Sequence, residues 1–399
     1  MKQRLLICFY TSNYEDILEK GVAKEYENFL EAGFFNKVIF VCPIARRSLS
    51  TNHTNNVEIR QIGWHSDRLN THLNLLLKYP IFFLRLLWFT FALLIETLLL
   101  KRHYSVIFRS TDPFFVGTYA WLVSFICRVP LVVSIHSNYD FTDQFLEAGS
   151  RIKLQLRFVI QKFVLTQSTL ILVIRKNIGD NISLQAPKLK RKIRLIPHGV
   201  DTLTIDRISN HSLDPTKNSV TISFVGRLSP ENFVYDIVLL GAMLRDIGLI
   251  SFEILIVGDG PLKDELATKI KRANLHDKIK LVGFLGFEEV IKIRKRSISF
   301  VPMGGMSLLE AMASKSATIA YDIDWHNEII ESGVNGYLVS QADLASAAKL
   351  VVALAQEPSA RVIVGDRAHR TITEGYSRIS SINHKIAHYK EILSLKNEN

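Results

Sequence analysis

Three short stretches of this 399-residue chain set glycine, charged or polar residues directly after apolar runs. The first lies between Phe300 and Val339, where the apolar segment SISFVP ends in Gly304-Gly305 and passes into SLLEAMAS. A glycine loop opening a helix presents unpaired backbone N–H groups and the positive end of the helix dipole, which suits a phosphate. Glu310, one turn into that helix, places a carboxylate where a sugar hydroxyl could donate to it. Ser307-x-x-Glu310 also fits a capping box, which serves only the helix start. The second stretch is Gly226-Arg227-Leu228-Ser-Pro-Glu231-Asn232, directly after the apolar run Val220–Val225. The third is His136, directly after Leu131–Ile135, which would either donate to a sugar hydroxyl or phosphate or fix its own loop. Gly258-Asp-Gly260-Pro does not complete a dinucleotide fingerprint, because position 263 is lysine. The chain also lacks H-E-x-x-H, Walker and G-x-S-x-G patterns and any Cys/His cluster, so no metal site is expected.

These residues need elements to position them. Apolar runs at Leu5–Tyr10, Lys37–Cys42, Val57–Ile62, Tyr104–Phe108, Leu131–Ile135 and Leu170–Ile174 alternate with helical stretches, including one expected from Ile17 to Ala32. A second alternating series begins at Val220 and continues through Phe252–Val257, Ile279–Val282 and Ser297–Pro302. Strand–helix alternation predicts an α/β fold of two Rossmann-like, doubly wound domains facing a central cleft. The expected divisions are residues 1–201, a polar linker at 202–218, a second domain at 219–375 and a C-terminal helix at 376–399. That helix is expected to return to the first domain. Ligands of such sheets bind beyond the carboxyl ends of the strands, which is where all three stretches fall.

Composition narrows the partners. Residues 1–200 hold 26 Lys/Arg against 14 Asp/Glu, so the net charge of +11 belongs to the N-terminal half. A basic half implies an anionic partner. IFFLRLLWFTFALLIETLLL, residues 81–100, is long enough to cross a bilayer. Arg85 and Glu96 interrupt it, at about 2.5–3.5 kcal/mol each at mid-membrane. The strands on either side of it are expected in one sheet, which favours a helix lying in the membrane interface over a span. A buried core helix is the competing reading. RIKLQLRFVIQKFVLTQS, residues 151–168, is a basic amphipathic helix that fits the same surface or a solvated face. Cys8, Cys42 and Cys127 sit singly in apolar runs, which argues for a reducing compartment. The expected location is cytoplasmic, peripheral to the inner membrane surface. Nucleic acid is a poor fit, since the basic residues alternate with aliphatic rather than stacking aromatic stretches. Oligomeric state is not set by any of these features.

Taken in order, IRLIPHGVD, FVGRLSPEN, IVGDGP, VGFLG and LLEAMASKSATIAYD…EIIESGVNGYLV resemble the motifs of retaining GT-B glycosyltransferases of the family 4 type. The resemblance covers nearly the whole chain. It implies transfer of a sugar from a nucleotide diphosphate donor, without a metal, to an acceptor that the basic, apolar first domain points to as lipid-linked, in surface polysaccharide or glycolipid synthesis. It implies a donor site of Gly226, Arg227, Asn232, Gly304, Gly305, Met306, Ser307, Leu308 and Glu310. Arg227 would clamp the diphosphate, backbone N–H groups of Gly305, Met306 and Ser307 would hold the β-phosphate and sugar, and Glu310 would take the ribose. His136 would meet the donor sugar.

Two positions depart from that pattern. The usual lysine five residues after the arginine is Asn232, and the first acid of the Glu-x7-Glu pair is Pro302. Asp322, Asp324 or Glu328 would stand in near the sugar, and Asp112 is a further candidate for sugar or acceptor contact. These departures also leave open a GT-B epimerase or phosphorylase, or a catalytically degenerate partner subunit.

Overall fold

The computed structural model describes residues 2–11, 14, 33–54, 56–65, 75–136, 151–209, 219–249 and 251–395. The expected helix at 17–32 lies outside them. The chain divides into two compact units, one of Met1–Ile196 with Ile382–Asn399 and one of Pro197–Ser381.

Unit 1 contains β1 (Gln3–Phe9), β2 (Lys37–Arg47), β3 (Leu49–Thr54), β4 (Val57–His65), the helix α1 (Leu75–Leu100) and β5 (Tyr104–Ser110). It continues with α2 (Phe115–Cys127), β6 (Leu131–Ile135), α3 (Arg151–Gln167), β7 (Leu170–Val173), α4 (Lys176–Gln185) and β8 (Ile193–Leu195). The eight strands form one sheet in the order β3-β4-β2-β1-β5-β6-β7-β8. All pairs are parallel except β3 with β4. The apolar runs become strands because both faces of the sheet are covered, so Leu5, Leu6, Ile7, Cys8 and Phe9 are all buried. All three cysteines are buried.

Unit 2 opens with α5 (Thr202–Arg207), capped by Asp201, whose carboxylate accepts the Thr204 N–H at 3.1 Å. Its core is β9 (Val220–Val225), α6 (Val234–Asp246), β10 (Phe252–Val257), α7 (Lys263–Arg272), β11 (Ile279–Gly283), α8 (Phe287–Lys295) and β12 (Ile298–Val301). Then come α9 (Met306–Ala313), β13 (Thr318–Tyr321), β14 (Tyr337–Val339), α10 (Leu344–Gln356) and α11 (Pro358–Gly375). The wholly parallel sheet runs β11-β10-β9-β12-β13-β14. The final helix, α12 (Arg378–Leu395), returns to unit 1, where buried Tyr389 packs edge-on to Phe35 at 5.2 Å.

The division differs from the expected one at three places. The break falls at Pro197 because the following residues belong to unit 2: Val200 pairs with Ser377, and a side chain on Gly199 would strike the Arg378 backbone at 2.5 Å. The return to unit 1 begins at Ile382, within α12 and not at residue 376. Part of the expected linker is helix α5; residues 210–218 lie outside the described region.

Candidate active site

In unit 2 the chain builds outward from β9 through β10 to β11, then returns to the other side of β9 with β12. Loops leaving β9 and β12 therefore turn to opposite faces and open a crevice between them, the place where doubly wound sheets bind ligands. Those two loops are Gly226–Asn232 and Pro302–Gly305, each singled out by its residues in the sequence.

The first loop is backed by a third. Gly226 N–H donates to Val257 O at 3.0 Å, and Leu228 N–H donates to Asp259 O at 3.0 Å. The approach is so close that a Cβ on Gly258, already at φ +137°, would lie 1.9 Å from Gly226 O. The Gly-Asp-Gly-Pro run is thus the backing of the Arg227 loop. Leu228 is buried beneath it while the Arg227 side chain is exposed. Asn232, where a lysine was expected, donates its amide to Arg227 O at 2.9 Å and so shapes the arginine's own loop.

The second loop is held by a buried histidine. His326 Nε2 lies 3.2 Å from Gly304 N and 3.3 Å from Gly304 O, and Nδ1 lies 2.8 Å from Tyr321 O, so the ring bridges the loop to the end of β13. Gly304 is required there, since a Cβ would sit 2.6 Å from a Val301 methyl. Above Gly305 nothing lies within 4 Å of an added Cβ, so that position is open. Helix α9 begins at Met306, leaving the N–H groups of Met306, Ser307 and Leu308 in the first turn, where a helix has no acceptor of its own. Met306 is exposed and the Leu308 side chain is core.

The capping-box reading fails here. Ser307 lies inside the helix, the cap residue is Gly305, and no side chain caps it. Ser307 Oγ instead donates to Val225 O at 2.6 Å, tying α9 to the end of β9. It also accepts a hydrogen bond at 3.0 Å from Arg294, a residue the sequence did not single out. Arg294 is 1% exposed, donates to Ser307 O as well, and lies 3.4 Å from Glu310 Oε2. Burial pulls its pKa down to about 10, with Glu310 pushing it back up.

The remaining candidates are placed as follows. Pro302 is buried just past β12. Asp322 and Asp324 are exposed, Asp322 accepting from Asn327 at 3.1 Å and Asp324 holding a left-handed turn at φ +51°. Glu328 ends the short 3-10 turn His326–Glu328, and its charge raises the pKa of half-buried Tyr376 further than burial alone does. In unit 1, His136 follows β6 directly, and residues 137–150 after it lie outside the described region. Asp112 accepts the Phe114 N–H at 2.7 Å at the start of α2. Burial raises the pKa of Asp112, and the N–H groups of Phe114 and Gly117 partly oppose that rise. Buried Arg109, also unforeseen, donates to Ser134 Oγ at 2.9 Å and so links β5 to β6.

Unit 1 also presents an apolar surface. Helix α1 docks by one stripe, with Leu93 and Thr97 buried and Glu96 paired to both terminal nitrogens of Arg60 on β4. Its opposite stripe exposes Phe83, Leu84, Leu87, Trp88 (73%), Phe91 and Ile95. Phe125 on α2 and Val159 on α3 are also exposed, and Trp121 and Phe163 link those two helices at 4.7 Å. The segment Phe83–Leu100 is long and apolar enough to cross a membrane by length and composition. A crossing by α1 alone would carry β4 and β5 to opposite faces, yet both belong to one sheet.

A model described as Glycosyl transferases group 1 matches residues 207–378, and one described as Glycosyltransferase Family 4 matches residues 37–203. The 2-deoxystreptamine glucosyltransferase of Streptomyces kanamyceticus is 23% identical over 66% of this chain and 71% of its own. The alpha-monoglucosyldiacylglycerol synthase of Streptococcus pneumoniae is 20% identical over 71% of this chain and 65% of its own. Among solved structures, Anabaena Alr3699/HepE in complex with UDP and glucose aligns over 98% of this chain and 100% of that one, with TM-score 0.66 at 16% identity. At that identity the match speaks for the fold.

Proposed function

The chain belongs to the GT-B glycosyltransferases of the family 4 type, and we propose that it moves a sugar, with retention, from a nucleoside diphosphate to a lipid-linked acceptor. The observation that carries this reading is the convergence of the Arg227 loop and the Gly304-Gly305 helix start on the β9/β12 crevice. One supplies a planar, permanently charged guanidinium, the other a cluster of N–H donors and a dipole, and a diphosphate takes both. Glu310, one turn deeper, accepts the ribose hydroxyls. A relative bearing the name of a monoglucosyldiacylglycerol synthase and a structural neighbour holding UDP and glucose support the same donor and acceptor classes.

Catalysis in this reading is electrostatic. The glycosidic bond to the β-phosphate oxygen breaks as the acceptor oxygen attacks the anomeric carbon from the same face. The acceptor's proton passes to the departing phosphate. Arg227 and the N–H groups of Gly305, Met306 and Ser307 stabilise the charge that grows on the diphosphate, so no metal is required. His136 is assigned to the donor sugar's hydroxyls.

The acceptor reading rests on unit 1. The exposed stripes of α1, α2 and α3 would enter the boundary between acyl chains and headgroups, with Arg102, Arg128, Arg157 and Lys162, all exposed, meeting anionic headgroups. In this reading the enzyme works at the inner face of the membrane. A panel of nucleotide sugars, read by thermal shift and by release of free nucleoside diphosphate on adding lipid-linked acceptor, tests the reaction. Stabilisation by one donor and release of its diphosphate are expected; release of sugar phosphate instead would overturn transfer. Flotation with liposomes tests the surface, and recovery in the unbound fraction with or without anionic lipid would remove it.

A further inference from the structure

The buried guanidinium of Arg294 is unusual for its position. Helix α8 sends Val290, Ile291 and Ile293 into the core, and Arg294 occupies the next place on that same buried face. Removing a guanidinium from water is costly unless its charge and N–H groups are met. Here they are met by the first turn of α9: Ser307 O, Ser307 Oγ at 3.0 Å and Glu310 Oε2 at 3.4 Å. Arg294 Nε has no hydrogen-bond partner among the described residues. Ser307 Oγ then reaches Val225 O at 2.6 Å, the residue before Gly226-Arg227. One side chain therefore ties together the ribose carboxylate, the anion-binding helix start and the strand end that carries the clamp arginine.

We infer that Arg294 is a positioning residue of the donor site: it fixes the Glu310 carboxylate in one orientation for the ribose hydroxyls. The inference rests on the assignment of Glu310 to the ribose. A fork with several donors can hold a serine and a carboxylate together, whereas a lysine ammonium supplies a point charge without that geometry. The same place in the helix with an apolar side chain would fill the core but take the guanidinium away from Glu310. A merely structural arginine would support folding and leave ribose recognition alone, so the two roles separate experimentally.

The test compares binding of a nucleoside diphosphate with its 2′,3′-dideoxy form, using whichever of UDP, GDP and ADP raises the melting temperature most. Wild type is expected to prefer the ribonucleotide by about tenfold or more, the usual scale for hydrogen bonds to a charged group. Arg294→Lys is expected to lose most of that preference by weakening the ribonucleotide far more than the dideoxy form. Ser307→Ala, which removes one acceptor of the guanidinium and opens little space, is expected to show a smaller fall of the same kind, and serves if Arg294→Lys does not fold. A wild-type preference that survives in the folded variants, or an equal loss for both nucleotides, overturns the inference while leaving the Glu310 assignment intact. Absence of any preference in wild type overturns that assignment and the inference with it.

Discussion

The two units share a plan and use it differently. Each has a mainly parallel sheet whose strand order reverses around a first strand, β1 flanked by β2 and β5 in one, β9 flanked by β10 and β12 in the other. At the second reversal the strand ends give way to glycine loops, an open Gly305 and a helix start, with charge from Arg227 and Arg294. At the first the described strand ends are aromatic: Phe9 meets Phe108 at 5.3 Å and Tyr119 at 5.8 Å, and Arg109 and Asp112 are buried. Unit 1 places its distinctive chemistry on the outside instead, in the exposed stripes of α1–α3. Topology fixes where a crevice opens; the residues at the strand ends decide whether it takes an anion.

The sharpest way to break this contrast is Arg227→Ala. Its side chain is exposed, so the fold should persist while kcat/KM falls by about 10²–10³, the loss typical of a preorganised electrostatic donor. Unchanged kinetics would show that unit 2 holds no diphosphate at this loop. Next in size is the outer surface of unit 1. Each large apolar side chain withdrawn from water is worth about 1.5–3 kcal/mol, so Leu87→Ser with Trp88→Ser should weaken vesicle binding roughly 100-fold without changing nucleotide affinity. An equal drop in nucleotide affinity would erase the division of labour. Glu96→Gln should cost about 1 kcal/mol in urea unfolding, as expected of a half-exposed ion pair; no change would mean that α1 is held by its apolar stripe alone.

The smallest effect is one of pH. The raised pKa of Asp112 means that its native environment favours the protonated form, so its contribution is full below the ordinary aspartate range and is lost as pH rises through the raised value. Wild type and Asp112→Asn should therefore have matching stability in acid, with the variant gaining on wild type as pH rises. A parallel pair of stability–pH curves would show that its hydrogen bonds from Phe114 and Gly117 fully offset its burial.

Both sheets were legible because their apolar runs end in glycine, proline or charge, and the Arg227 and Gly304 loops stood out for the same reason. β3 was not, since LSTNHT is a polar edge strand whose only signal is its pairing to β4. Arg294 was hidden by its company, one cation among several in IRKR, and only its spacing from Val290 and Ile291 placed it on the buried face. His326 was hidden likewise, since its role depends on Gly304, 22 residues earlier. Ser307 was misread because Ser-x-x-Glu describes spacing along one helix, while its hydroxyl is claimed by a neighbouring strand and helix. Asp201 was the opposite case: an aspartate three residues before the Thr204 N–H it accepts is a helix start, and it sat at the head of a segment expected to be a linker.

Helix α1 connects β4 to β5, and this has a consequence during synthesis. As the chain leaves the ribosome, Phe83–Leu100 emerges before the strand that completes its side of the sheet, and by length it is indistinguishable from a membrane anchor. What separates the two fates is the pairing of β5 with β1, Gln3 to Tyr104 through Phe9 to Ser110. At ~5–20 residues per second, the seven residues of β5 follow within roughly a second. Once β5 has paired with β1, both ends of α1 are tied to one sheet and so to one side of any membrane that the helix touches.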